Sequence, residues 1–246
     1  MIFDRLRYEI KLMGKRFFLT PIVMLLGAAL LAFLLVYIKT DPARFLLALP
    51  EILLPLAAGM ITCTVTTQDP ALELHLTMPR RYYWTSTLRL VLVFLWIGCA
   101  ALLAINVLAP LKLLYPPSFV FTWPPVVQWL TLQMVWLAPM LWFMAVGLCA
   151  ALIIQSRAGS STLLAAVWVL EIFYKDFFGS SPWLRPFSLF PSTLLIWPAT
   201  NASLAQFTTY WLISRFEVLG TALVLLPVGW LLLRSTERLL KGATQE

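Results

Sequence analysis

Residues 67–84 read T-Q-D-P-A-L-E-L-H-L-T-M-P-R-R-Y-Y-W. This is the one strongly polar interruption between long apolar runs that also carries helix start and stop signals. Asp69 is of a type that caps a helix N-terminus, and Pro70 suits the first turn, where its missing N–H would be unsatisfied anyway. Met78 precedes Pro79, which disfavours the α region at residue 78 and closes the helix. The spacing therefore predicts a short helix over 70–77, lying at a membrane surface. Arg80 and Arg81 follow it, then an aromatic cluster, then another apolar run. A short capped helix between two apolar runs is a place where a partner can push.

The surrounding composition makes those runs membrane spans. Hydrophobic residues are 61% of the chain and charged residues 12%, and the mean hydropathy is +0.87. A soluble domain of this length cannot bury so much apolar surface. The expected class is an all-α polytopic membrane protein, with 1–246 forming a single transmembrane domain. The net charge of +7 does not point to nucleic acid, because the basic residues cluster beside apolar runs as topology signals do. Cys63, Cys99 and Cys149 each sit inside an apolar run and read as small buried hydrophobes rather than a disulfide framework or metal site. No signal peptide is expected: the first apolar run follows a long charged amphipathic segment and is too long for an h-region.

Outward from residue 67 toward the N-terminus, the predicted second span covers 47–65. Pro50 and Pro55 lie in its first half, and Thr62, Thr64, Thr66 and Thr67 enrich its inner end, where hydroxyls can bond back to helix carbonyls. The first span covers 20–38. Before it, residues 2–18 place Phe3, Leu6, Ile10, Met13 and Phe17 at helical spacing among charges, which predicts an amphipathic helix lying in the interface.

Toward the C-terminus, the third span is predicted at 88–108. A proline-laden outer loop follows over 109–125, and then a long fourth span at 126–154 with Pro139 as a kink. Residues 155–161 form a tight inner turn. The fifth span covers 162–178, with Glu171 and Lys175 spaced for a helical ion pair. Residues 177–206 are too apolar for a free loop and too broken by proline for a spanning helix. They predict a re-entrant hairpin of short half-helices dipping in from outside. The sixth span covers 216–233.

Six spans put both termini on one side. Of the 18 Lys and Arg residues, 12 fall on that side: Arg5, Arg7, Lys11, Lys15, Arg16, Arg80, Arg81, Arg89, Arg157, Arg234, Arg238 and Lys241. The other six are Lys39, Arg44, Lys112, Lys175, Arg185 and Arg215. The positive-inside bias places both termini, and the 70–77 helix, in the cytoplasm.

The chain offers little chemistry of its own. It has no Walker-type phosphate loop, no G-x-S-x-G elbow and no HExxH pattern. Its one histidine, His75, lies on the short surface helix. A mid-span charge costs at least ~2.5–3.5 kcal/mol, and Glu51, Glu171, Asp176 and Glu217 are expected toward outer ends of spans, so no proton or sodium relay is expected. Gln128 and Gln133 read as interhelical hydrogen-bonding groups. A membrane domain without an energy source, carrying a capped surface helix, suggests a subunit driven by a separate protein.

On these features the chain resembles the membrane (permease) subunits of type-2, exporter-like ATP-binding-cassette transporters. The likeness lies in the N-terminal amphipathic helix, the six spans, the short cytoplasmic coupling helix between spans two and three, and the re-entrant outer helical hairpin between spans five and six. Its most residue-specific part is D-P-A-L-E-L-H-L-T-M-P-R-R. The resemblance implies that Asp69, Leu72, Glu73 and Leu76 face an ATPase subunit and that Arg80 and Arg81 anchor the helix at the membrane. It also implies partner ATP-binding-cassette ATPase subunits that hold ATP and Mg, a second membrane subunit of the same or another chain, and no cofactor or catalysis in this chain. The setting would be the cell inner (plasma) membrane. Trp96, Trp136, Trp142, Phe143 and Trp168 would suit an apolar or amphipathic cargo, or else face lipid or pack the core. The alternatives are a membrane-embedded enzyme or assembly scaffold without transport, and a self-sufficient channel or carrier.

Overall fold

The computed structural model describes residues 2–67, 82–111, 118–174, 177–178, 181, 183–194 and 201–234. In chain order the helices are α1 (Ile2–Tyr37), α2 (Ala43–Ala48), a π-helical turn (Leu49–Leu53), α3 (Leu54–Thr67), α4 (Tyr82–Leu108), a 3-10 turn (Ser118–Thr122), α5 (Pro125–Ile154) and α6 (Arg157–Phe173). A second 3-10 turn (Arg185–Phe187), the single turn α7 (Pro191–Leu194) and α8 (Asn201–Leu233) complete the order. Among the described residues there is no strand. Among the described residues five stretches are long and apolar enough to cross a membrane: Phe17–Tyr37, Phe45–Thr67, Tyr83–Leu108, Pro125–Ile154 and Tyr210–Leu233. The chain is compatible with a multi-pass membrane protein. At 17 residues, α6 is ~25 Å long, short of a ~30 Å hydrocarbon core.

α5 is the spine. Its apolar window is 72% buried, against 11% for α1, as expected for a helix that is apolar all round. It packs chiefly on α3 and α8, and α6 closes against both α3 and α5. The α3–α5 crossing is very close. A Cβ on Gly147 would lie 2.8 Å from the Gly59 carbonyl oxygen, and one on Gly59 would lie 2.9 Å from that of Phe143. In lipid, where apolar burial does not drive helices together, such small-residue contacts bring backbones into van der Waals range. The Cys63 thiol adds a bond to the Gly147 carbonyl at 3.5 Å. Gly147→Val should destabilise the bundle by about 1–3 kcal/mol through overpacking, read as unfolding of the purified full chain in detergent.

Local chemistry explains the element boundaries. α1 breaks at Gly14 (φ 75°, ψ 166°), a conformation that glycine tolerates and L side chains do not. The helix thus breaks at Gly14, and the apolar stretch begins at Phe17, beside the boundary predicted near residue 18. Pro50 and Pro55 do not simply kink the second span. Pro55 cannot donate to residue 51, and the chain takes up a π register in which the Leu54 N–H donates to the Leu49 carbonyl. The threonine hydroxyls bond back as expected: Thr62 to Ala58, Thr64 to Met60, Thr66 to Thr62 and Thr67 to Cys63.

Three expectations are corrected here. The inner turn shrinks to Gln155 and Ser156. Gln155 adopts the left-handed conformation (φ 56°) that ends α5, and the Ser156 hydroxyl caps α6 by accepting from the Gly159 N–H at 3.3 Å. α6 consequently begins at Arg157 and ends at Phe173 instead of covering 162–178. α8 begins at Asn201, so 201–206 belong to the same helix as the last apolar stretch, which starts at Tyr210 rather than 216.

Candidate functional site

The sequence-predicted contact residues Asp69, Leu72, Glu73 and Leu76, and the anchors Arg80 and Arg81, lie outside the described residues. α3 ends at Thr67 and α4 starts at Tyr82, so the stretch joins those two helices directly. What the described residues reveal at the two ends of the bundle is a pair of buried ionic clusters.

The first cluster sits where residues 188–193 meet the π-helical turn, α6 and α8. These residues are buried but outside regular helix until Pro191, so their backbone groups need partners other than helix carbonyls. Side chains supply them. The Ser214 hydroxyl donates to the Ser188 carbonyl at 3.1 Å. The Leu189 N–H donates to the Glu171 carboxylate, and the Leu189 carbonyl accepts from Arg215 Nη1 at 2.9 Å. The Ser192 N–H donates to Glu51 Oε1 at 2.9 Å, and the Thr193 hydroxyl donates to Glu51 Oε2. Arg215 Nη2 pairs with Glu51 and also donates to the Ser192 hydroxyl at 2.9 Å. Trp211 Nε1 donates to that same hydroxyl at 2.9 Å. Glu51 and Arg215 are both fully buried. The guanidinium thus clamps one carboxylate, one hydroxyl and one carbonyl, drawn from two elements distant in sequence.

This corrects one reading. Arg215 is not a loop cation: it lies within the Tyr210–Leu233 stretch, and Glu51 lies within Phe45–Thr67. The Glu171 carboxylate accepts from the Leu189 N–H; its predicted partner Lys175 lies outside the described residues. The chain therefore does bury ionisable groups in its apolar stretches. The signal was present in the sequence, since Trp211, Arg215, Val218 and Ala222 recur at three- and four-residue steps and all are buried.

The second cluster ties α1 to α4. Arg89 Nε donates to Glu9 Oε2 at 2.7 Å, and both side chains are nearly fully buried. Trp96 Nε1 donates to the Phe18 carbonyl at 3.3 Å, and the Phe18 ring meets Trp96 edge-on at 5.6 Å. Arg89, which the charge count treats as a surface topology signal, is thus an internal fastening.

The remaining expectations resolve as follows. Gln133 bonds within α5, accepting from Trp136 Nε1 at 2.8 Å and donating to the Trp129 carbonyl at 3.3 Å, so it is not interhelical. Trp136, Trp142 and Phe143 are core residues, and Phe143 stacks on Phe190 at 5.9 Å. Cys63 is buried, but Cys99 is exposed on the bundle's outer surface. Among the described residues no three His, Cys, Asp or Glu side chains gather where they could hold a metal ion. Comparison with family models, curated proteins and solved structures gave no match.

Proposed function

We propose that the chain is the membrane-spanning subunit of an ATP-driven exporter, with six spans, both termini in the cytoplasm and a separate ATPase subunit as its motor. The setting is the inner (plasma) membrane, and a second membrane subunit completes the translocation path. The observation that carries this reading is the buried Glu9–Arg89 pair. It makes the interfacial part of α1 and the start of α4 one mechanical unit. α4 begins immediately behind the polar stretch with its Asp69 and Glu73, so a partner pressing on that stretch moves both helices together. α6 is taken as the fifth span, completing six, because its outward residues Leu163, Val169, Leu170 and Phe173 are exposed and apolar. The buried 188–193 segment supports a re-entrant outer hairpin, since irregular backbone at membrane depth needs protein partners of the kind it has.

In this reading ATP and Mg bind the partner. Closure of the ATPases displaces Asp69, Leu72, Glu73 and Leu76 while Arg80 and Arg81 hold the helix at the headgroups. The test is purification of the full chain from native membranes in mild detergent. An ATP-binding-cassette ATPase should co-purify in fixed stoichiometry, and Glu73→Arg should abolish its retention with the membrane subunit still folded. Transport by the purified chain alone, with no ATPase present, sinks the proposal.

A second reading, a self-sufficient ion-coupled carrier, is favoured by the two carboxylates and one guanidinium buried at the first cluster, because intramembrane ionisable groups often mark ion paths. It expects proton flux through the isolated chain in liposomes and its loss in Glu171→Gln. Proton-tight liposomes exclude it.

A further inference from the structure

The bundle has a groove that neither ionic cluster touches. It lies between α4, α5 and α8, encloses about 570 Å³ and is almost wholly apolar. Val91 and Phe94 form one wall, Met144 and Leu148 the floor, and Leu226 and Trp230 the other wall. On each helix these wall and floor residues are three or four apart, so each helix presents one face. From Thr87 to Phe94 the groove runs ~10 Å along α4, most of the depth of one leaflet's ~15 Å hydrocarbon layer. Its volume is in the range of ligand pockets, roughly 300–1,000 Å³.

The end of the groove nearest the chain termini changes character. Tyr83 and Trp230 meet edge-on with centroids 5.6 Å apart. The Arg234 guanidinium lies 4.7 Å from the Trp230 ring and 5.7 Å from that of Tyr83. Ring faces attract the cation without consuming its N–H donors. A Tyr and Trp pair is characteristic of the membrane–water boundary, and a guanidinium fork suits phosphate oxygens. An apolar trough ending in an aromatic-braced cation is therefore amphipathic in the same sense as a lipid.

We propose that this groove binds one anionic glycerophospholipid of the leaflet on the termini side, an acyl chain lying between α4 and α8 and the phosphate at Arg234. A free phosphate gains nothing from the apolar trough. A second copy of the chain would bring a like-charged Arg234 end to the mouth. The inference requires only membrane embedding and stands whether or not the chain is driven by an ATPase.

The test titrates the purified full chain in nonionic detergent with dioleoyl-phosphatidylglycerol or dioleoyl-phosphatidylcholine and counts bound lipid by native mass spectrometry. The wild type should favour the anionic lipid by about fivefold, the size expected for one basic residue at an anionic headgroup. Arg234→Gln should erase that preference while phosphatidylcholine binding persists, and Arg234→Lys should restore part of it. Val91→Trp, on an exposed wall residue, should reduce binding of both lipids. Equal binding of the two lipids by the wild type overturns the proposal, as does full binding by Val91→Trp. Displacement of the bound lipid by millimolar inorganic phosphate, or cross-linking of two copies through Val91→Cys, overturns it as well.

Discussion

Arg215→Met should destabilise the purified chain by about 3–5 kcal/mol, the usual consequence of removing one partner of a buried ion pair. The guanidinium is fully buried and is the cation that faces the Glu51 carboxylate. Its loss leaves that carboxylate dehydrated with only the Ser192 N–H and Thr193 hydroxyl to support it. It also strips a donor from the Leu189 carbonyl and one from the Ser192 hydroxyl. The orphaned Leu189 carbonyl adds about 1–3 kcal/mol if water cannot reach it, while the Ser192 hydroxyl keeps its Trp211 donor, and such costs do not add fully. The damage should be local first. Residues 183–194 should become protease-accessible before the α3–α5 contact opens, because the Gly59–Gly147 packing does not depend on Arg215. Glu51→Gln combined with Arg215→Met removes both charges and should recover more than half of the loss. Unfolding in a denaturant series, with the two single variants and the double, gives the coupling directly. A single variant as stable as wild type, or a double no better than the single, would show that the pair does not hold the outer segment.

How far this arrangement could be read in advance depends on the kind of signal each residue gives. Apolar runs longer than a bilayer crossing announce themselves, and four of the five long stretches lie close to their predicted positions. Threonine back-bonding is likewise local and was legible, since it requires only a carbonyl four residues earlier. The helix ends at Gln155 and Ser156 were less legible. Gln155 adopts a left-handed conformation that its residue type does not advertise, and this shifts the start of α6 to Arg157.

The helical spacing of Arg215 with Trp211, Val218 and Ala222 was there to read, but the partners in the ionic clusters were illegible for a different reason. Glu51, Glu171 and Arg215 are far apart in the chain, and each taken alone looks like an outer-end charge. Only the return of 188–193 into the bundle gives them a shared task. That task, satisfying irregular backbone, is a property of the fold rather than of any residue. A composition argument that charges avoid the spans therefore misjudged Arg215, whose helical neighbours Trp211 and Val218 are buried beside it. The proposed partner contact at Asp69 and Glu73 rests on the sequence, because it lies outside the described residues.

The expected result for Glu9→Leu is a loss of about 3–5 kcal/mol that also frees the interfacial turns of α1 from α4. Arg89 is nearly fully buried, so removing Glu9 takes from its guanidinium the carboxylate that offsets its dehydration. The second fastening, Trp96 to the Phe18 carbonyl, lies beyond Gly14 on the membrane side of the break and does not restrain the interfacial turns. The consequence is therefore directional: residues 2–13 should detach while the Phe17–Tyr37 stretch stays packed. Hydrogen exchange of the full chain in nanodiscs should show faster exchange confined to residues before Gly14 and to the first turns of α4. Exchanging the pair, Glu9→Arg with Arg89→Glu, should restore protection if the attraction itself is what fastens the helices. If the proposed coupling holds, Glu9→Leu should leave ATPase binding intact yet uncouple ATP hydrolysis from transport, since the contact at Glu73 is untouched while the unit it moves has come apart. Unchanged coupling in a variant whose interfacial helix has demonstrably detached would remove the mechanical role assigned to the pair.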